Sequence, residues 1–160
     1  MKTRKIIKEL CYNSIIAALY VTLVFVLGFM SYGPIQVRFA EVLIFIVLIN
    51  KKYTLGITLG CFIANLIGPY GLLDACIGSI ATFLCCFLLS IFNKPWLGII
   101  LLPVCNIIVG LEISILANYT LIPTIVTILW VMLGELISAI TGFVIYLFIS
   151  KNKKITEFLS

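Results

Sequence analysis

The sequence predicts an all-α integral membrane protein: one bundle of six transmembrane helices with both termini in the cytoplasm. Three observations support this class. The 160 residues are 63% hydrophobic and only 11% charged, far from the balance of a soluble domain. Apolar runs recur along the chain, and their lengths approach the roughly 20 residues that a helix needs to cross a bilayer. The basic residues also gather on one predicted side of the membrane.

The six predicted spans follow one another without an internal repeat or a long linker, so residues 1–160 are predicted to form one domain. The first span is too long for a signal-peptide core and lacks a small-x-small cleavage site, so we expect it to be retained. The second and third spans are short for membrane helices, at roughly 13 residues each. The predicted spans cover residues 11–30, 37–49, 55–67, 72–92, 97–117 and 124–150.

The positions of the basic residues test this count. With six spans, both termini and the turns at Lys51–Lys52 and Lys94 share one side, and Arg38 is the single basic residue opposite. A five-span arrangement would scatter the charges. Because basic residues collect on the cytoplasmic side of membrane proteins, both termini are predicted to be cytoplasmic. The basic residues of that side are Lys2, Arg4, Lys5, Lys8, Lys51, Lys52, Lys94, Lys151, Lys153 and Lys154.

Polar residues converge towards the opposite, outer side. Arg38 and Glu41 open the second helix about 60° apart, where they either form an interfacial salt bridge or share a ligand. Asn65 closes the third helix and Asp74 opens the fourth. The inner half of the bundle carries almost no acidic residue. This asymmetry predicts a polar cavity that is open to the outside.

Two glutamates lie deeper in the predicted bundle. Glu112 and Glu135 lie roughly 7–8 Å and 15 Å below the outer ends of their helices. A charge at a helix centre costs roughly 2.5–3.5 kcal/mol on insertion scales, so such carboxylates usually serve a function. The small residues around Glu135 either pack against another helix or leave room for a ligand. Asn106 shares a face with Glu112 only if the helix distorts near Gly110.

Sequence motifs exclude several classes of chemistry. The six cysteines form no CxxC pair and the chain has no His, so neither a metal site nor a disulfide framework is expected. There is no GxSxG, HExxH or GxxxxGK[ST] motif, so we predict neither catalytic residues nor ATP hydrolysis by this chain. Carboxylates with amide neighbours instead suit the binding of a planar N–H-bearing heterocycle or a cationic amine. Trp130 either stacks on such a ring or faces lipid.

Four stretches together resemble the QueT family of queuosine-precursor transporters. They read "IQVRFAEVL", "GITLGCFIANLIGPYGLLDACIGSIATFL", "LPVCNIIVGLE" and "VMLGELISAITGFVIYL", and they cover most of the chain from Ile35 to Leu147. The resemblance rests on a combination of residues rather than on one motif. That combination is Arg38, Glu41, Asn65, Asp74, Gly78, Thr82, Asn106, Glu112, Gly134 and Glu135.

The resemblance implies the substrate-binding S component of an energy-coupling-factor (ECF) importer in the bacterial plasma membrane. Such a component has six helices and partners with a transmembrane coupling subunit and two ATPases. Those partners use ATP, while this chain binds no cofactor and no nucleic acid. The family's Ala-x-x-x-Ala docking contact corresponds here to Ser14 and Ala18 in "NSIIAALY". The small-xxx-small spacing is kept, although the strict motif is not.

The implied ligands are 7-deazaguanines such as queuine or its aminomethyl or cyano precursors. Glu135 or Glu112 would then accept from the ring N–H and the exocyclic amine, and Asp74 would hold a cationic side-chain amine. The donors to the ring carbonyl would be Asn65, Asn106 or Arg38. Three alternatives remain open: an S component for another vitamin, a stand-alone secondary transporter, and a small membrane enzyme. The missing inverted repeat disfavours the second and the missing catalytic set disfavours the third.

Overall fold

The computed structural model describes residues 2–33 and 35–159, and every regular element within these ranges is helical. The described residues form eight α-helices, labelled α1 to α8, and two 3₁₀ helices. The α-helices are α1 Lys2–Val26, α2 Gly28–Ser31, α3 Thr54–Ile67, α4 Gly71–Phe92, α5 Leu97–Cys105, α6 Ile107–Leu116, α7 Leu121–Lys151 and α8 Lys153–Leu159. The 3₁₀ helices are Phe39–Leu48 and Lys51–Tyr53. The all-α class is therefore confirmed.

Four segments of the described chain are long and apolar enough to cross a membrane: Ile6–Val26, Gly71–Phe92, Leu97–Leu116 and Leu121–Lys151. They coincide with four of the six predicted spans. The other two predicted spans correspond to the 3₁₀ helix Phe39–Leu48, with 10 residues, and to α3, with 14 residues. Neither reaches the usual length of a membrane helix. The number of six spans and the side on which the termini lie stay predictions.

The second predicted segment is not α-helical. Phe39–Leu48 forms an unusually long 3₁₀ helix, so the α-helical geometry assumed for Arg38 and Glu41 is wrong. A 3₁₀ helix rises about 2.0 Å per residue, and ten residues therefore extend about 20 Å. Close packing holds this stretched segment, because Gly98 and Gly142 leave room for the ring of Phe45. A Cβ at either glycine would lie 2.6 Å from that ring.

The fifth predicted span is divided at Asn106, where α5 ends and α6 begins. Pro103 lies inside α5 and has no N–H to continue the helical ladder. The backbone N–H and the side-chain amide of Asn106 both reach the Leu102 carbonyl, at 3.3 and 3.1 Å. The distortion thus lies four residues earlier than the predicted one near Gly110. At Gly110 the backbone of α6 instead approaches Ile128 of α7 closely.

The helices alternate between two ends of the bundle. The lysine end is defined by Glu9, Lys52, Tyr53 and Leu159, which are joined by an ion pair between Lys52 and Glu9 and a hydrogen bond from Tyr53 to Leu159. The loop end is defined by Tyr32, Tyr70 and Tyr119, which line one cavity. Helix α3 packs between α1 and α4, and α7 packs against α5, α6 and the 3₁₀ helix Phe39–Leu48.

The interior and the surface of the bundle are both apolar. The largest core cluster joins residues of α1, the 3₁₀ helix Phe39–Leu48, α3, α4, α5 and α7, including Tyr20, Ile44 and Leu89. Large hydrophobic side chains also cover the outside, with Leu121 and Ile122 of α7 each 75% exposed. In water such a surface would aggregate, whereas lipid tails solvate it. The chain is therefore a membrane protein.

Candidate functional site

Four of the six acidic residues and Arg38 are buried together towards the loop end of the bundle. We call this group the polar cluster; its members are Arg38, Glu41, Asp74, Glu112 and Glu135. Each is at most 4% exposed. They come from five parts of the chain: the residue before the 3₁₀ helix Phe39–Leu48, that helix itself, α4, α6 and α7. Chain folding thus gathers charges that are far apart in sequence.

Arg38 is the electrostatic centre of the polar cluster. Its Nη2 lies 3.6 Å from Oδ2 of Asp74. The guanidinium also interacts electrostatically with Glu41, Glu112 and Glu135. The sequence offered a salt bridge to Glu41 as one possibility, but the ion-pair partner in the structure is Asp74. Asp74 lies in the first turn of α4, where the helix dipole favours a negative charge.

Glu41 is held by two hydroxyl groups on one of its oxygens. Tyr20 of α1 donates to Oε1 at 2.5 Å and Thr82 of α4 donates to the same atom at 3.1 Å. Both donors are fully buried. Tyr20 is not among the site residues predicted from the sequence, because an apolar helix gives no signal for one buried tyrosine. Its long-range partner could be found only from the folded chain.

Asn65 contacts the polar cluster, whereas the side-chain hydrogen bond of Asn106 lies at the break between α5 and α6. The side-chain amide of Asn65 donates to the backbone carbonyl of Asp74 at 3.2 Å and fixes the end of α3 against the start of α4. Gly78 makes this possible, since a Cβ there would clash with the Asn65 amide nitrogen. The Asn106 amide donates to Leu102 at the break between α5 and α6. Its observed contact is therefore structural.

Many polar atoms of the cluster are buried without a hydrogen-bond partner. Among the described residues, the orphaned atoms of the cluster are Arg38 Nε and Nη2, Glu41 Oε2, Asp74 Oδ1 and Oδ2, Glu112 Oε1 and Oε2, and Glu135 Oε2. Buried polar groups are normally paired, because leaving one unpaired costs about 1–3 kcal/mol. Acceptor oxygens outnumber donor nitrogens in this set. The cluster therefore suits a ligand that brings N–H groups or a cationic amine. Among the described residues, no three His, Cys, Asp or Glu side chains converge on a point that could hold a metal ion.

A cavity of about 310 Å³ lies at the loop end beside the polar cluster. Trp130, a predicted site residue, lines it and is 42% exposed. Val131 of the lining lies one helical turn before Glu135, and Gln36 lies two residues before Arg38. We call this space the aromatic cavity; its lining residues are Tyr32, Gly33, Gln36, Tyr70, Ile113, Tyr119, Thr127, Trp130 and Val131.

The segment before Arg38 separates the aromatic cavity from the interior. Tyr32 donates its hydroxyl to the Ala64 carbonyl at 2.8 Å, and burial raises the pKa of Tyr32, so this donor keeps its proton. Gln36 is buried in the left-handed region with φ of 46°. Gly134 lets this backbone lie directly on α7, since a Cβ there would be 2.7 Å from the Gln36 carbonyl oxygen. The glycine next to Glu135 therefore seats the loop beside that carboxylate.

The predicted partner-docking residues lie on another part of the surface. Ser14 and Ala18 are both exposed on α1. Ser14 also lines a groove of about 510 Å³ between α1 and α3, together with Lys51, Lys52 and Leu59. This groove opens at the lysine end. The docking residues and the polar cluster thus lie in separate regions, and α1, which carries the docking residues, contacts the polar cluster through Tyr20.

The family described as QueT transporter matches residues 10–151. The chain belongs to this family. A curated relative, Queuosine precursor transporter QueT of Lactococcus lactis subsp. cremoris (strain MG1363), is 42% identical over 71 residues. The match covers 43% of this chain and 41% of the relative, so this chain spans about two fifths of that protein's length. No solved structure matches the chain. The members of this family are described as transporters, and the apolar helices indicate that this chain is embedded in a membrane.

Proposed function

We propose that this QueT chain is the substrate-binding S component of an ECF importer and binds a 7-deazaguanine, a queuosine precursor or queuine itself. The observation that carries the proposal is the buried polar cluster, with its excess of orphaned acceptors, beside an aromatic cavity. A 7-deazaguanine brings a planar ring, ring N–H groups and an exocyclic amine. The Lactococcus lactis relative, a queuosine precursor transporter by name, points to the same substrate class.

The substrate ring would stack on Trp130 and the tyrosines of the aromatic cavity. The N–H groups of the ring would donate to Glu135 or Glu112, and Arg38 and Asn65 would donate to its carbonyl. Asp74 would hold the cationic amine of an aminomethyl precursor. Charge-assisted hydrogen bonds of this kind are roughly twice as strong as neutral ones, and their geometry selects the heterocycle.

The polar cluster is closed to solvent, with Arg38 and Glu135 each 2% exposed. Substrate entry therefore needs a shift of the backbone at residues 35–37, which lies between the cavity and the interior. The loop end would face outwards and the lysine end the cytoplasm, because the basic residues gather at the latter. In this orientation both termini are cytoplasmic and the chain crosses the bacterial plasma membrane six times.

Import of the bound substrate would need partner subunits. We assign the coupling subunit to the exposed face of α1 at Ser14 and Ala18, where small residues permit close helix approach. Two cytoplasmic ATPases would supply the energy, so ATP is used by the partners and this chain binds no cofactor of its own. Reorientation of the S component would deliver the substrate inwards.

Calorimetric titration of the purified protein tests the substrate assignment. Queuine, 7-aminomethyl-7-deazaguanine and 7-cyano-7-deazaguanine are the probes, and guanine and common vitamins are the controls. We expect saturable binding of at least one deazaguanine and a loss of affinity in Glu135→Gln and Asp74→Asn. If a vitamin binds and none of the deazaguanines does, the substrate class is that vitamin and not the 7-deazaguanines. Unchanged affinity in both variants would remove these carboxylates from the site.

Uptake measurements test the coupling assignment. Proteoliposomes with the chain alone are compared with proteoliposomes that also contain an ECF coupling subunit and its ATPases. Accumulation that requires the partners and ATP supports the S component. Equal accumulation by the chain alone would instead establish a stand-alone secondary transporter.

A further inference from the structure

Tyr20 lies where α1 meets the polar cluster. Its side chain is completely buried, and its hydroxyl donates to Glu41 Oε1 at 2.5 Å. Gly60 of α3 packs directly on it, since a Cβ at Gly60 would lie 2.7 Å from the Tyr20 Cβ. The tyrosine therefore has no room to move independently of its helix. A displacement of Glu41 would act on α1 as a whole.

The two oxygens of Glu41 have different surroundings. Oε1 accepts from Tyr20 and Thr82, whereas Oε2 is buried and has no hydrogen-bond partner. A ligand N–H that reaches Oε2 draws the carboxylate towards it. The shared charge then shifts away from Oε1, because hydrogen bonds to one group polarise each other. The bond from Tyr20 would therefore change in length and strength when a ligand binds.

We propose that Tyr20 is a positioning residue that transmits substrate binding at the polar cluster to the docking face of α1. This inference rests on the proposed function, since α1 also carries Ser14 and Ala18. Substrate at Glu41 Oε2 alters the Tyr20 bond and shifts α1 against α3. Reciprocally, a partner bound to α1 changes the substrate affinity by the same factor, as thermodynamic linkage requires.

Thr82 provides the matched control. It donates to the same oxygen, Glu41 Oε1, but it belongs to α4, which carries no proposed docking residue. Tyr20→Phe and Thr82→Val each remove one hydroxyl from Glu41, and both should weaken substrate binding by several-fold. Only Tyr20→Phe removes the connection to α1. The two variants therefore separate the orientation of Glu41 from the transmission to the docking face.

The experiment is hydrogen–deuterium exchange of the purified full chain with and without saturating 7-aminomethyl-7-deazaguanine. We expect the ligand to change exchange in α1 around Ser14–Val21 in the wild type and in Thr82→Val. In Tyr20→Phe the α1 response should be lost, while the response of α4 persists. Glu41→Gln removes the carboxylate through which the ligand would act on Tyr20. It should also lose the α1 response, which keeps the test available if Tyr20→Phe does not fold.

The outcomes separate the two proposals. An α1 response that persists in Tyr20→Phe or in Glu41→Gln overturns the role of Tyr20 and leaves the proposed function intact. Loss of the α1 response in Thr82→Val also overturns it, because orientation of Glu41 would then explain every effect. If the wild type binds none of the deazaguanines, the proposed function fails and this inference fails with it.

Discussion

At the lysine end, the Tyr53 hydroxyl donates to the Leu159 carbonyl at 2.6 Å, and the Asn13 side-chain oxygen accepts from the Gly56 N–H at 2.7 Å. At the loop end, by contrast, the polar cluster buries carboxylate oxygens of Glu112 and Glu135 that have no hydrogen-bond partner. At the lysine end, polar groups join chain segments and are satisfied by hydrogen bonds within the protein. The loop end buries charge that the protein alone does not satisfy, and this difference separates structural polarity from polarity reserved for a ligand.

The largest effect should come from breaking the ion pair of the polar cluster. Arg38→Met leaves Asp74 as an uncompensated buried carboxylate, which destabilises proteins by about 3–5 kcal/mol. Thermal unfolding of the detergent-solubilised variant measures this loss. The double variant Arg38→Met/Asp74→Leu removes both charges and should recover much of the stability without recovering substrate binding. Recovery of binding in the double variant would place this ion pair outside the binding site.

Replacement of a single carboxylate should show most clearly that the loop end, and not the lysine end, determines the substrate affinity. Glu135→Gln keeps the shape of the side chain but removes a charged acceptor, worth about 1.5–3 kcal/mol per hydrogen bond. We therefore expect the affinity for a deazaguanine to fall by roughly 10- to 100-fold, measured by calorimetry.

Glu9→Gln is the matched control at the lysine end. Glu9 forms an ion pair with Lys52, but the two side chains are 36% and 45% exposed. Such surface pairs contribute about 0–1 kcal/mol, so neither stability nor substrate affinity should change greatly. An equal loss of affinity in both variants would show that net charge, rather than the polar cluster, governs binding.

Substitution of a glycine inside the site should have an intermediate effect. A Cβ at Gly78 would displace the Asn65 amide from the carbonyl of Asp74. Gly78→Ala should therefore cost about 1–3 kcal/mol of stability, as overpacking usually does, and should reduce substrate affinity. Gly28→Ala is the control, because nothing lies within 4 Å of its added Cβ. Melting curves that match for the two variants would contradict the close packing at Gly78.

The smallest effect should come from the satisfied polar groups of the lysine end. Tyr53→Phe removes the hydroxyl that holds Leu159 and leaves the ring in place. One hydrogen bond of this kind contributes about 1 kcal/mol, so the melting temperature should fall slightly. Substrate affinity should stay at the wild-type value in the same titration. A large loss of affinity would show that the two ends do not act separately.

The sequence alone determined the class of this protein, the approximate bounds of its apolar segments and the residues that make up the polar cluster. Hydrophobicity and charge are local properties that the sequence shows directly. A carboxylate inside a membrane is so costly that its presence indicates a function. The same reasoning placed Arg38, Glu41 and Asp74 near the outer face of the bundle. It placed Glu112 and Glu135 deeper, in the outer half or near the middle of the membrane. It did so from their depth along helices, which the rise per residue fixes.

The tertiary structure decided which of these groups touch. Arg38 lies before the 3₁₀ helix, and its ion-pair partner is Asp74 of α4. Glu41 instead accepts hydrogen bonds from Tyr20 and Thr82. At the end of α5, the Asn106 side-chain amide donates to the Leu102 carbonyl, which the Asn106 backbone N–H also reaches. Tyr20 reaches Glu41 across 21 positions of sequence. Such contacts depend on the packing of distant segments, and no local pattern in the chain specifies them.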